Sequence, residues 1–123
     1  RMVFNVIARN HDDHTKNVGF LLNDVGSVWR LAPAFDVAYS YKPGSPWVNS
    51  HQMSINGKRD NFNRDDLMGV AGLINNFRQA GDIIAQVVDV VARWPEYAAT
   101  AGVFSGLQKE IQDNLRLGKG YSW

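Results

Sequence analysis

Three polar side chains have the types and the spacing of a phosphoryl-transfer site. Asp12 precedes Asn17 by five positions, and Asp36 lies further along the chain behind an apolar residue. Phosphoryl transfer needs a carboxylate that orients the attacking hydroxyl and accepts its proton. It also needs hard oxygen ligands that hold Mg²⁺ against the phosphates. The pattern therefore predicts Asp12 as the catalytic residue, and Asn17 and Asp36 as ligands of the metal.

The first two of these residues lie in a polar loop, residues 10–17, which reads Asn-His-Asp-Asp-His-Thr-Lys-Asn between two apolar segments. Lys16 and His14 are candidates to bind the cofactor. Lys16 can neutralise the transferred phosphate or pair with Asp13 on the surface. His14 can brace the loop by a hydrogen bond to the backbone, or take part in proton transfer. Asp13 has no role in this phosphoryl-transfer pattern and is expected to be a solvated loop residue.

In these motifs the chain resembles the HipA-like serine/threonine kinases of bacterial toxin–antitoxin systems. The catalytic loop, residues 10–17, is similar to the family's Asn-x-Asp-x-His-x-Lys-Asn loop. The metal turn, residues 31–37, contains a segment similar to the family's Leu-x-Pro-x-Tyr-Asp turn. Residues 53–58 look like the strand and turn that precede the closing helices, so the resemblance spans most of the chain. The sequence departs from ordinary protein kinases, because Asn-His-Asp replaces His-Arg-Asp and no glycine follows Asp36.

The resemblance implies phosphoryl transfer from ATP to a serine or threonine of a protein substrate. It implies Mg²⁺ and ATP as cofactors and an antitoxin as partner. It also implies that the chain is the C-terminal part of a kinase's large lobe. The sequence has no glycine-rich strand turn and no Val-Ala-x-Lys-like strand, so we expect these phosphate contacts to come from upstream of Arg1. The isolated chain is therefore expected to be inactive.

Length and composition predict a single domain, residues 1–123, that can bury its own core. Its hydrophobic fraction of 45% and its charged fraction of 20% are ordinary for a globular protein. The net charge of +1 gives no indication of binding to nucleic acid or to a membrane surface. The absence of cysteine is compatible with a reducing compartment, and no apolar run is long enough to span a membrane. We therefore expect a cytoplasmic protein.

The hydrophobic pattern predicts an α+β, mainly helical fold with a short β-hairpin and a closing helical bundle. The predicted elements before the bundle are a buried helix over residues 1–9, a hairpin formed by 18–22 and 28–31, and a strand over 51–55. The closing region, 63–117, is predicted to contain helices over 64–73 and 79–94 and a last helix that ends at Gly118.

Two other classes of function remain open at this stage. His11, Asp12, Asp13 and His14 are similar to the His-Asp pairs of metal-dependent phosphohydrolases, although such a site would need further ligands. His51 is the only other histidine. Alternatively, the chain could be a non-catalytic helical interaction module, with Trp47, Trp94 and Trp123 at a protein interface.

Overall fold

The computed structural model describes residues 1–118 and 120–123, and these residues form an α+β, mainly helical fold. The described part contains five α-helices and one two-stranded antiparallel hairpin. The elements are α1 (Met2–Ile7), β1 (Phe20–Leu21), β2 (Arg30–Leu31), α2 (Arg64–Ala71), α3 (Ala80–Ala92), α4 (Trp94–Thr100) and α5 (Ser105–Asn114). The predicted fold class, with its short hairpin and closing helices, is confirmed.

The predicted first helix is α1, and it lies at the centre of the hydrophobic core. Val6 and Ile7 are completely buried, and α1 packs directly against α3. Ile84 of α3 and Ile111 of α5 belong to the same core cluster. Burial on nearly all sides explains why the apolar residues of this helix are too dense for a single stripe. The loop that follows α1 therefore starts from a rigid support.

The hairpin is short and pairs Phe20 with Leu31 across its two strands. It leads into the metal turn, where the ring of Phe35 lies close to Gly19. A Cβ atom added at Gly19 would be 3.4 Å from this ring, which is ordinary van der Waals contact. The ring of Phe35 thus packs next to the start of the hairpin.

Helix α2 begins with the predicted cap. The side chain of Asn63 accepts a hydrogen bond from the N–H of Asp66, and the carboxylate of Asp66 accepts one from the N–H of Asn63. The buried Asp66 also accepts hydrogen bonds from the Asn56 amide at 3.0 Å and from the Lys58 ammonium at 2.9 Å. One carboxylate thus joins the 56–58 turn to the start of α2. The helix ends at Ala71, two residues before the predicted end.

The predicted strand over residues 51–55 is wrong, because this segment is irregular. Its backbone N–H groups are used elsewhere. Those of Gln52 and Met53 donate to the carboxylate of Asp13, and that of His51 donates to the carbonyl of Arg59. The turn after it is correct: Asn56 and Gly57 both have positive φ, as a tight turn of this type requires.

The helix bounds in the closing region also differ from prediction. The helix predicted over 79–94 ends at Ala92, and a separate helix, α4, begins at Trp94 with Pro95 in its first turn. Proline is tolerated there because its missing N–H would have no partner within the helix. Helix α5 ends at Asn114 and not at Gly118. The backbone becomes extended at Leu115. The N–H of Arg116 then donates to the carbonyl of Ile7 at 3.0 Å.

Candidate functional site

The segment that follows the metal turn runs beside the catalytic loop. Asn10 and Ser40 form a parallel bridge, and the N–H of His11 donates to the carbonyl of Ser40 at 3.2 Å. The hydroxyl of Ser40 donates to the side-chain oxygen of Asn10 at 2.8 Å and accepts from the N–H of Asp12 at 3.1 Å. These bonds fix the start of the loop against the chain that has just left Asp36.

Asp12 presents its carboxylate to the solvent. Its side chain is 48% exposed, and its Oδ1 lies 3.7 Å from Nε2 of His14. Its backbone carbonyl accepts a hydrogen bond from Nδ2 of Asn17 at 2.8 Å. Because the amide nitrogen is used in this way, the amide oxygen of Asn17 is the atom that remains for a metal.

Three of the predicted site residues line one cleft of about 350 Å³. These are Asn17, Asp36 and His14, and apolar walls are supplied by Val18 and Phe35 among others. Asp12 is not a lining residue, but it is next to the cleft through its contacts with Asn17 and His14. A carboxylate, an amide oxygen and an imidazole therefore share one concave surface, which is the usual setting of a binding site.

Asp36 has a left-handed backbone, with φ at +53°. Residues other than glycine adopt this region seldom, although aspartate tolerates it better than most. Such conformations are concentrated at functional sites, where the surroundings hold them in place. The turn thereby aims Asp36 at the cleft that Asn17 lines.

The two candidate cofactor-binding residues differ in position. Lys16 is exposed in the 3-10 helix Thr15–Asn17 and is not among the residues that line the cleft. His14 does line it, and within the described part of the chain its buried Nδ1 has no hydrogen-bond partner. The structure therefore does not contain the backbone hydrogen bond that would brace the loop through the His14 ring.

Asp13 is buried, so the expectation that it is solvated is wrong. It is 8% exposed, and its Oδ2 lies 2.9 Å from Nδ1 of His51. Its Oδ1 accepts the N–H groups of Gln52 at 2.9 Å and Met53 at 3.2 Å. The alternative in which Asp13 pairs with Lys16 is also wrong, because these partners occupy its carboxylate.

Behind Asp13 lies a buried cluster of two histidines and an arginine. The rings of His11 and His51 are 4.1 Å apart, and both are fully buried. Nη1 of Arg116 lies 2.9 Å from Nε2 of His51, and Nη2 lies 3.4 Å from Nε2 of His11. Nη2 also forms an ion pair with Asp60. The cluster joins the loop to the chain that follows α5.

Burial shifts the acid–base behaviour of this cluster. Desolvation, together with the charges of His51 and Arg116, lowers the pKa of His11 from 6.5 to about 4. For Asp13, desolvation alone would raise the pKa. The hydrogen bonds from His51 and from the backbone outweigh it and hold the pKa below its usual value of 3.8. Near neutral pH the cluster therefore contains a neutral His11 and an ionised Asp13.

This geometry does not favour a phosphohydrolase. The Nε2 atoms of His11 and His51 both face the guanidinium of Arg116. A fixed positive charge next to both nitrogens opposes cation binding. Within residues 1–118 and 120–123, no group of three or more His, Cys, Asp or Glu side chains is arranged to hold a metal ion.

Two of the three tryptophans of the alternative interaction module belong to the interior packing. The indole N–H of Trp94 donates to the carbonyl of Gln108 at 3.1 Å, and that of Trp123 donates to the carbonyl of Arg116 at 2.6 Å. Both rings pack against the core cluster. Only Trp47 has the exposure that an interface residue needs, at 76%.

A family model described as the HipA-like C-terminal domain matches residues 1–94, which is most of the chain. The chain belongs to this family. The matched range contains the loop, the metal turn, the cleft residues Asn17 and Asp36, and helices α1 to α3. Membership in the HipA-like family supports a toxin–antitoxin context for the protein. No curated protein and no solved structure matches the chain.

No local pattern in the sequence indicates the buried cluster of this HipA-like chain. His51 is 38 positions from its partner Asp13, and Arg116 is 65 positions from His51. Arg116 also lies outside the matched residues 1–94. A charged residue among the apolar positions of the last segment was the only available indication, since a fully buried arginine requires partners.

None of the helices in the described part is long and apolar enough to cross a membrane.

Proposed function

We propose that this chain is the C-terminal part of the large lobe of a HipA-like kinase and carries its catalytic and metal-binding residues, and that the complete kinase transfers the γ-phosphoryl group of ATP to a serine or threonine of a protein. The observation that carries the proposal is the shared cleft: Asn17 and Asp36 line it together, and Asp12 is attached to its edge. In a site of this type, positioning and charge neutralisation supply most of the catalysis. We further propose that residues 1–123 act as one domain.

The donor set suits Mg²⁺. Asn17 supplies an amide oxygen and Asp36 a carboxylate, and Mg²⁺ prefers hard oxygen ligands, of which the protein provides one or two beside phosphate oxygens and water. When bound, the metal neutralises charge that develops on the transferring phosphoryl group. Asp36 and Asn17 would hold it against the phosphates. His14 and the exposed Lys16 are neighbours of Asn17 in the sequence, and we propose that they contact phosphate oxygens.

Asp12 is the proposed proton acceptor. In the reaction, the serine hydroxyl oxygen forms a bond to the γ-phosphorus, the bond from that phosphorus to the bridging oxygen breaks, and ADP leaves. The proton of the hydroxyl passes to the carboxylate of Asp12. Its high exposure leaves the carboxylate accessible to a protein substrate, and its backbone is fixed by Ser40 and Asn17. Asp13, although adjacent, is occupied by His51 and cannot serve this role.

Family membership supports an antitoxin as the partner of the complete protein. The large apolar side chains exposed around the hairpin are compatible with contacts to further protein, since contiguous exposed apolar surface commonly marks an interaction site. The most exposed of these side chains are Phe20, Val25, Val28, Trp29 and Leu31.

The proposal is tested by Mg²⁺ titrations of phosphate transfer in a complete protein that contains this chain. Asp36→Ala should abolish transfer, because the metal loses its charged ligand. Asn17→Ala should raise the Mg²⁺ concentration needed for half-maximal rate, since one neutral ligand is lost. Asp24→Ala, which removes an exposed carboxylate in the hairpin loop, is the control and should leave the titration unchanged. Wild-type titration curves for both Asn17→Ala and Asp36→Ala would refute the metal assignment.

A further inference from the structure

The last turn of the chain reaches the catalytic loop through one buried side chain, Arg116, which is 1% exposed. Its Nη1 donates to the carbonyl of Val6 at 2.6 Å and to Nε2 of His51. Its Nη2 faces Nε2 of His11 and pairs with Asp60. The four N–H groups of the two Nη atoms thus have four acceptors from three different parts of the chain.

The direction of these bonds fixes the proton positions. A guanidinium can only donate, so Nε2 of His51 must accept and its proton must be on Nδ1. Nδ1 then donates to Asp13 at 2.9 Å. The same reasoning makes Nε2 of His11 an acceptor. Arg116 therefore selects the tautomer of His51 that carries its proton on Nδ1. In this tautomer, hydrogen bonds connect Arg116 through His51 to Asp13 of the loop.

Asp13 transmits this constraint to the backbone beside the proposed catalytic residue. Its carboxylate takes the N–H groups of Gln52 and Met53, and the N–H of Gln52 also lies 3.1 Å from the carbonyl of His11. The backbone is thus held on both sides of Asp12 by groups that depend on Arg116. His11 is held through its Nε2, and Asp13 is held through His51.

A buried charge of this kind is a poor means of adding stability. Taking a guanidinium and a carboxylate out of water is costly, and replacing such a pair by apolar residues of similar volume often leaves a protein as stable or more so. What such a cluster provides is one defined arrangement of hydrogen bonds. Here that arrangement ends at the two residues that flank Asp12.

We propose that Arg116 is a positioning residue for the catalytic loop, which makes the segment after α5 a functional part of the phosphoryl-transfer site. Through His11, His51 and Asp13, it sets the backbone from which Asp12 projects. The inference rests on the proposed function for its effect on catalysis, but the effect on loop geometry does not require it. The residue lies outside the matched family range.

The experiment uses a complete protein containing this chain and compares Arg116→Met, Arg116→Lys and the control Arg93→Met. Arg93 is about half exposed, pairs loosely with Asp89 at 3.9 Å and lies 5.6 Å from the centre of the Tyr97 ring, far from the catalytic loop in sequence. For each variant, phosphate transfer gives kcat and the KM for ATP, and hydrogen exchange gives the protection of the N–H groups of Gln52 and Met53. Hydrogen exchange reports on the loop whether or not phosphate is transferred.

For Arg116→Met we expect kcat to fall about 10-fold to 100-fold with the KM for ATP changed less than about 2-fold, because a displaced base costs rate and not nucleotide affinity. Exchange at residues 52–53 should increase while that of α3 stays protected. Arg116→Lys keeps the charge but loses the planar donor set, so it should be intermediate in kcat. Arg93→Met should match the wild type in both measurements.

Unchanged exchange at residues 52–53 in both Arg116 variants would overturn the inference, as would increased exchange with normal kcat. If Arg116→Met does not fold, Arg116→Lys decides by the same criteria. A wild-type protein that transfers no phosphate would refute the proposed function, and exchange at residues 52–53 would still decide whether Arg116 sets the loop.

Discussion

At the scale of single residues, the environments of two adjacent aspartates are opposite. Asp12 is half exposed and lies beside the cleft, whereas Asp13 is buried and fully hydrogen-bonded. The spacing to Asn17 was sufficient to select Asp12 as the candidate base, because that relation is local in sequence. Nothing local indicates that Asp13 is buried, since its partner His51 comes from a distant segment. The sequence alone therefore does not reveal the buried supporting side of the loop.

The buried histidine leads to a prediction about stability and pH. His11 has a pKa of about 4 in the folded chain and 6.5 in its unfolded form, so the unfolded chain binds the proton first. Stability should be fully present above pH 6.5 and should fall as the pH decreases toward 4. The linkage relation gives a loss of about 2 to 3 kcal/mol between pH 7 and pH 4.5.

Denaturant unfolding at a series of pH values measures this effect. His11→Phe keeps an aromatic ring at the site but cannot titrate, so the variant should lose less stability than the wild type over the same pH range. Equal slopes for the two proteins would show that His11 is not the group responsible.

At the scale of elements, the sequence predicted those units whose determinants are local. The burial pattern of α1, the turn residues of the hairpin and the capping box of α2 all lie within a few positions of the elements they specify. The strand over residues 51–55 was predicted wrongly, because the Asp13 carboxylate takes backbone N–H groups that a strand would have used. The end of α5 was missed for the same reason, since Arg116 leaves the helix to reach a distant cluster.

The cap of α2 provides a test at this scale. Asp66 is buried and takes hydrogen bonds from Asn63, Asn56 and Lys58, so Asp66→Asn should destabilise the fold by about 2 to 4 kcal/mol. Asp65→Asn is the matched control, because it removes an exposed carboxylate from the same turn and should cost less than about 1 kcal/mol. Thermal unfolding of the two variants gives the comparison, and similar losses would contradict a specific role for Asp66.

At the scale of the whole molecule, the cleft and the buried cluster are supported by one core. The loop starts from α1, whose Val6 and Ile7 are buried among α3 and α5, and the chain after α5 returns to the same point. The predicted closing helices therefore also deliver Arg116 to the site. This part of the arrangement depends on long-range packing, which no motif in a single sequence specifies.

The cofactor provides another test at this scale. Because the sequence contains neither a glycine-rich phosphate loop nor the strand lysine, the 123-residue chain alone should bind Mg²⁺·ATP weakly and transfer no phosphate. Isothermal titration calorimetry with Mg²⁺·ATP checks the binding, and a phosphate-transfer assay checks the activity. Micromolar affinity or turnover by this chain would contradict the prediction.

We propose that Asp12 performs chemistry while Asp13 supports the loop. A comparison of Asp12→Asn with Asp13→Asn in a complete protein that contains this chain separates these two roles. Phosphate transfer and thermal unfolding are measured on the same preparations. Asp12→Asn should lower kcat by about 10² to 10⁴ and change stability by less than about 0.5 kcal/mol. Asp13→Asn should lower stability by about 2 to 4 kcal/mol, because it breaks a buried pair with His51. Near-normal turnover of Asp12→Asn, with a lowered melting temperature, would contradict the account.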